Sequence, residues 1–218
     1  MATRPPKQER SKATVERMVL AAEQLMRDRG TDDFTLVEIC RLGSVSMGAI
    51  YYRFSSKDDL LRLVHARLME ELAREMNAAI ARSVACADDL PRLVRAAIEA
   101  LAETLRHFAP LLRPLMLRSI SDPVIRAAGK DTYTRMGIEF VDAILSLQAE
   151  IRFPQPRQAA EASYTIAYAA LGRSLGLNAS AGHVADILDW HELKLSLSIM
   201  CTSYLLASEH LIKRVEGL

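Results

Sequence analysis

The sequence predicts an all-α fold of about nine helices. Alanine and leucine dominate, and the β-branched alternation that marks strands is scarce. Apolar residues recur at spacings of three and four between glycine, proline and capping signals. Half of the 218 residues are hydrophobic and a quarter are charged, with nine glycines, eight prolines and three cysteines. That composition excludes a disordered chain, a collagen-like repeat and a disulfide scaffold.

Residues 13–29 place Val15, Met18, Val19, Ala22, Leu25 and Met26 on one face, and Gly30 ends that helix. Thr35 opens a short second helix carrying Leu36, Ile39 and Cys40, and Glu38 completes a capping-box pattern. Gly43-Ser44 stops it. Ser46 caps a third helix, with Ile50 and Tyr51 as its apolar residues and Phe54 near its end. Ser55-Ser56 precedes Asp58 and Asp59, acids favoured in a first turn, so a fourth helix is expected from about Lys57 to Ala85. A fifth follows Asp88-Asp89-Leu90-Pro91 and reaches about His107. Pro110 and Pro114 bracket a short apolar helix over about 110–120, and Asp122-Pro123 opens a long one to about Ile151. Phe153-Pro154-Gln155-Pro156 is a break. Residues 157–176 form a helix rich in small side chains, a loop runs from Gly176 to Gly182, and a last helix covers roughly 187–214.

The second and third helices are short and lie three or four residues apart, which is helix-turn-helix spacing. The third reads Ser46-Met47-Gly48-Ala49-Ile50-Tyr51-Tyr52-Arg53-Phe54. Its small residues suit close approach to base edges, and its tyrosine hydroxyls and arginine suit phosphates and bases. The same residues also suit a plain αα-hairpin in which Tyr51, Tyr52 and Phe54 pack. Spacing alone leaves both readings open.

Residues from about 14 to 64 resemble the DNA-binding domain of TetR-type transcriptional repressors. The resemblance is carried by Phe34-Thr35-Leu36-Val37-Glu38-Ile39-Cys40, by Val45 through Phe54, and by Ser56-Lys57-Asp58-Asp59-Leu60-Leu61. It covers about a quarter of the chain. Where the family usually has Ala-Gly before Val-Ser, this chain has Gly43-Ser44, and Cys40 replaces the usual alanine. Both changes are small for small, so the turn is expected to survive.

The resemblance implies that Thr35 caps the second helix and touches a phosphate, with Val37 nearby. It implies that Ser46, Met47, Gly48 and Ala49 face the major groove, that Tyr51 holds a phosphate, and that Tyr52 and Arg53 reach bases or backbone. Lys57 is expected to pair with a phosphate at the start of the fourth helix. Ile39, Val45, Ile50 and Phe54 are expected to form the small core. The resemblance also implies a C-terminal half that binds a small molecule and dimerises. The expected division is a basic flexible arm over 1–12, a helix-turn-helix domain over 13–57, and a ligand-binding and dimerisation domain over 58–218.

In that second part Phe108, Leu112, Met116, Met136, Phe140, Tyr164 and Tyr168 are candidate pocket residues, and most of them equally suit a filled core. His107, Arg113 and Arg118 stand among apolar neighbours and suit either the surface or an anionic ligand. Ala162 and Ala170, with Leu197, Met200 and Tyr204, are the candidate dimer face, because small residues permit close helix approach and the larger ones supply apolar area. A two-fold dimer requires a palindromic operator.

The net charge of +1 divides into +3 over residues 1–57 and −2 over 58–218, which suits a polyanion at the N-terminal end. Arg4, Lys7, Arg10 and Lys12 are expected to add flexible phosphate contacts. Cys40, Cys86 and Cys201 are too few and too far apart for a zinc cage, and the five histidines lack ligand spacing, so neither metal nor cofactor is expected. The run Leu193 to Ala207 is too short and too interrupted to span a membrane, and the basic N-terminus lacks the apolar core of a signal peptide. No phosphate-cradling glycine loop, His-Glu-x-x-His or nucleophile setting is present. The expectation is a cytoplasmic, homodimeric DNA-binding regulator and not an enzyme. In this reading it is a repressor released from double-stranded DNA by a largely apolar small molecule. The alternative is a helical small-molecule-binding protein or enzyme with an incidental helix-turn-helix.

Overall fold

The computed structural model describes residues 7–177 and 188–216. All regular structure among them is helical: α1 (Lys7–Arg29), α2 (Leu36–Gly43), α3 (Met47–Tyr51), α4 (Lys57–Cys86), α5 (Leu90–Arg118), α6 (Pro123–Leu145), α7 (Pro156–Ser174), α8 (Trp190–Leu205) and α9 (Glu209–Glu216). A single 3₁₀ turn at Gln148–Glu150 joins them. None of these helices is long and apolar enough to cross a membrane. The chain forms two compact units, residues 1–69 with 110–128, and residues 70–109 with 129–218. The first unit therefore takes in more than the expected 13–57, adding the start of α4 and the α5–α6 corner.

The first unit is built around short helices whose ends are fixed locally. Thr35 caps α2 in the expected reciprocal box: its hydroxyl accepts from Glu38 N at 3.3 Å, and Glu38 accepts from Thr35 N at 2.8 Å. Ser46 caps α3 by accepting from Ala49 N at 3.1 Å. Ser56 and Asp59 do the same for α4, with Asp59 N donating to Ser56 Oγ at 3.2 Å. Met18, Val19, Ala22, Met26, Phe34, Ile39, Ile50, Phe54, Leu60, Leu61 and Val64 are buried, while Val45 is only half-buried.

The Gly43-Ser44 pair has a steric cause. A Cβ on Gly43 would meet the Arg17 carbonyl oxygen of α1 at 2.9 Å, so the α1–α2 crossing demands glycine there. The left-handed residue that ends α2 is then Ser44, at φ 50°, the only non-glycine with positive φ among the described residues. Arg17 Nη1 donates to the Ser44 carbonyl at 3.1 Å. The turn survives with a strained serine in place of the usual glycine.

Several helix boundaries differ from those expected. Helix α1 starts at Lys7, so residues 7–12 are helix and not a flexible arm; residues 1–6, with Arg4, lie outside the described residues. Helix α5 continues through Pro110 and Pro114 to Arg118 as one element. Each proline leaves a carbonyl four residues earlier without its usual donor, yet Leu105, Phe108, Ala109, Leu111, Leu112 and Leu115 stay buried along the whole stretch. Helix α6 stops at Leu145, where Ser146 Oγ turns back to the Ala143 carbonyl at 2.7 Å. Glu150, beyond that stop, accepts from Leu90 N at 2.9 Å and so caps α5 from a distance. The expected last helix is two, α8 and α9, because Arg152 N and Phe153 N both take the Leu205 carbonyl at 3.0 and 3.1 Å. The tail of the Gly176–Gly182 loop and residues 183–187 lie outside the described residues.

In the second unit, the rings of Tyr133, Phe140, Tyr164 and Tyr168 interlock at centroid distances of 4.8–5.8 Å. Tyr164 donates its hydroxyl to the Tyr133 carbonyl at 2.9 Å. A Cβ on Gly137 would meet the Tyr164 ring at 2.8 Å, so this glycine makes room for it. Asp189 caps α8 in a box with Glu192. Lys194 lies 2.7 Å from both Glu99 and Glu103, and Trp190 Nε1 donates to Glu103 at 2.9 Å.

Candidate nucleic-acid interface

Helix α3 buries one residue fully and leaves the others half-buried or exposed. Ile50 is fully buried. Ser46 and Gly48 are exposed, and Met47 and Ala49 are half-buried. Beyond them Tyr51 is 58% exposed and Tyr52 82% exposed. The Arg53 guanidinium lies 5.5 Å from the Tyr52 ring centre and is itself exposed. A Cβ on Gly48 would meet nothing nearer than Ser46 Oγ at 3.9 Å, so the protein's own packing does not require glycine there. Tyr51 and Tyr52 are therefore not packing residues of a plain hairpin, whereas Phe54, at 8% exposure, is one.

Thr35 is exposed at the start of α2, and Val37, two residues on, is 65% exposed. Thr35 belongs to a network of charged hydrogen bonds. Arg29 pairs with Glu38, and Glu38 also receives the Thr35 backbone and hydroxyl. These contacts, the Arg29 hydrogen bond first, hold the Glu38 carboxyl down at about 2.

Lys57, expected to be free for a phosphate, is tethered. Its ammonium donates to the Asp32 carbonyl and lies 4.5 Å from the centre of the Phe34 ring. The tether fixes where the cation sits and leaves its charge uncompensated by that carbonyl. An open cleft of about 1,010 Å³ adjoins this surface, lined by Ser11, Lys12, Val15, Glu16, Tyr52, Arg53 and Arg67. Glu16 pairs with Arg67 there, so among the described residues the cations left facing the cleft are Lys12 and Arg53.

Residues 19–64, the span of this capped, outward-facing helix pair, match the family described as bacterial regulatory proteins, tetR family. This segment is similar to the DNA-binding domain of that family. The HTH-type transcriptional repressor BepR of Brucella suis is 41% identical over 54 residues, which is 25% of this chain and 26% of BepR. The match thus spans about a quarter of that relative's length. A likeness of fold extends further along the chain. A Mesorhizobium loti protein assigned to the TetR-family transcriptional regulators superposes with a TM-score of 0.70 at 16% identity, covering 90% of this chain and 96% of that one. A transcriptional regulator from Cytophaga hutchinsonii gives 0.64 at 17% identity over 88% and 98%. At such identities the likeness is one of fold.

Outside residues 19–64 the expected sets of residues divide. Of the pocket candidates, Phe108, Met136, Phe140 and Tyr164 are buried and Tyr168 is half-buried in the second unit, while Leu112 and Met116 belong to the first. Phe140, Tyr164 and Tyr168 are engaged in the aromatic cluster, where burial pushes the Tyr164 and Tyr168 hydroxyls above the usual phenol range. A shallow cleft of about 470 Å³ in the second unit lies elsewhere, between Glu75, Arg82 and Cys86 of α4 and Glu99, Glu103 and His107 of α5. None of the seven expected residues lines it.

Of the dimer candidates, Leu197 is a correction. At 4% exposure it is already buried within its own protomer, on the α8 face that carries Ser198, Cys201 and Leu205. Met200, at 60%, and Tyr204 are exposed, and Ala162 and Ala170 are half-buried. The exposed apolar residues that the sequence reading missed are Ile166 on α7 and Leu195 and Ile199 on α8. Placing the buried Leu197 correctly fixes the phase of α8 and would have found Leu195 and Ile199. Arg118, read as a surface or ligand residue, instead pairs with Asp32 and Asp58.

Proposed function

We propose that the chain is a homodimeric transcriptional regulator that reads a palindromic operator in double-stranded DNA and represses from it until a small molecule releases it. The observation that carries the DNA reading is the exposure of Tyr51, Tyr52 and Arg53 around a helix that buries only Ile50. A helix kept solely for packing would turn its aromatic residues inward. In the proposed complex Ser46, Met47, Gly48 and Ala49 face the major groove, with Gly48 leaving room for close approach. Tyr51, Thr35 and the tethered Lys57 hold phosphates, and Tyr52 and Arg53 reach bases or backbone.

The dimer is proposed to form on the exposed apolar side of α7 and α8, through Ile166, Leu195, Ile199, Met200 and Tyr204, with Ala162 and Ala170 allowing close approach. The effector reading draws on the family and on the apolar residues Phe108, Met136, Phe140, Tyr164 and Tyr168. A ligand entering there must part a closed aromatic cluster, so it would be largely apolar. Effector and DNA must then weaken each other reciprocally.

Band shifts on duplexes from the upstream region of the coding gene test the DNA reading. Arg53→Ala is expected to cost about 1–3 kcal/mol and relax specificity at one position per half-site, while Tyr51→Phe and Lys57→Ala weaken all sequences alike. Equal binding by all three variants and wild type would overturn it, in favour of a helical binding protein with an incidental helix-turn-helix. Ile199→Glu is expected to give monomers in sedimentation and to lower operator affinity.

A further inference from the structure

We infer that Arg118 is a positioning residue for DNA binding, one that neutralises two carboxylates standing beside Lys57. The inference rests on the DNA reading above. All the residues concerned belong to the first compact unit. Arg118 ends α5, and its two terminal nitrogens are both committed. Nη1 reaches Asp32 Oδ2 at 2.8 Å, in the loop before α2, and Nη2 reaches Asp58 Oδ1, in the first turn of α4. At 23% exposure the Arg118 side chain faces protein more than solvent.

Both aspartates adjoin Lys57. Asp58 follows it directly in sequence, and Asp32 already holds the Lys57 ammonium through its backbone carbonyl. Without Arg118 the Asp32 carboxylate, on the same residue as that carbonyl, is free to pair with the ammonium and take it from a phosphate. The Asp58 carboxylate would at the same time repel the phosphate. A carboxylate about 6 Å from a phosphate weakens their joint binding by roughly threefold to a hundredfold, across effective dielectrics of 80 to 20. Two such charges at the proposed DNA edge are tolerable only if something cancels them, and the structure assigns that task to Arg118. Its remaining nitrogen, Nε, is buried with no hydrogen-bond partner, so the side chain gives up one bond to keep the two-armed geometry.

The test uses the full chain and fluorescence anisotropy on a labelled duplex, first at low salt, where non-specific binding suffices. Arg118→Ala is expected to weaken binding at least threefold, with the difference shrinking as salt rises. Asp32→Asn/Asp58→Asn is expected to bind as well as wild type or better. The triple variant, with Arg118→Ala added to both asparagines, is expected to return to within about twofold of wild type. Arg118→Lys, which cannot bridge both acids, should fall between, and it replaces Arg118→Ala if that variant does not fold by circular dichroism. A purely structural role would not be rescued by removing the acids. Unchanged binding by Arg118→Ala, or a loss that persists in the triple variant, overturns this inference alone. If wild type binds no duplex even at low salt, the DNA reading falls, and this inference falls with it.

Discussion

Two corners of the first unit meet the same task in opposite ways. The α2–α3 corner is fixed from within. Thr35 and Ser46 cap its helices, Gly43 admits α1, and Ser44 takes the left-handed turn. The α5–α6 corner is fixed from outside. Arg118 reaches Asp32 and Asp58, Arg62 reaches Asp122 at 2.9 Å, and Asp122 caps α6 through Val124 N and Ile125 N. A corner held by its own caps and core keeps its shape whatever surrounds it. A corner held by ion pairs to distant residues depends on salt and on where those residues stand.

Substitutions should separate the two. The largest effect is expected from Ile50→Ala, which empties the fully buried centre of the α2–α3 corner and should cost about 2–5 kcal/mol by urea unfolding. A cost below about 1 kcal/mol would mean that this corner is not held by its core. Gly43→Ala should come next, at about 1–3 kcal/mol, because its new methyl meets the backbone of α1 and not a flexible side chain. Asp122→Ala removes a cap and the Arg62 partner and should cost about 1–2 kcal/mol. That loss should shrink in high salt, whereas the two preceding ones should not. Salt-independence at Asp122 would erase the contrast between the corners.

Ser44→Gly should work in the other direction. It relieves a left-handed serine but loosens the unfolded chain, for a net gain of about 0.5 kcal/mol in the same assay. The smallest effect is one of pH. The Glu38 carboxyl is held at about 2 against an ordinary 4.5, so its contribution is present above 4.5 and lost as pH falls toward 2. Wild type should therefore lose more melting temperature than Glu38→Gln between pH 5 and pH 3. Parallel losses would show that Arg29 and Thr35 do not hold this group.

This contrast also explains what the sequence made legible. Thr35, Glu38, Ser46 and Ser56 act on backbone within three residues, so their pattern can be read directly. Pro110 and Pro114 suggested ends to a helix that runs through them, because burial on both sides outweighs two missing hydrogen bonds. The break between α8 and α9 carries neither glycine nor proline. It is set by the Leu205 carbonyl turning to Arg152 and Phe153, far off in the chain. The candidate site followed the same rule. The outward residues of α3 were readable from the helix-turn-helix pattern. The Lys57 tether to Asp32 and the Arg118 pairs were not, since their partners lie 25 to 86 residues away. Leu197 was misplaced because α8 is apolar on several sides, and only its packing shows which side is inner.

The single tryptophan gives this protein a built-in optical reporter. Trp190 opens α8, with its indole N–H on Glu103 and the cations of Arg106 and Lys194 5.8 and 5.9 Å from its ring centre. Its emission therefore senses the first turn of α8 and the charges around it, with no label attached. Melting followed by that emission tracks the second unit, while far-ultraviolet dichroism tracks every helix. Coincident curves would mean that the chain unfolds as one cooperative body, and separated curves that its units let go in turn.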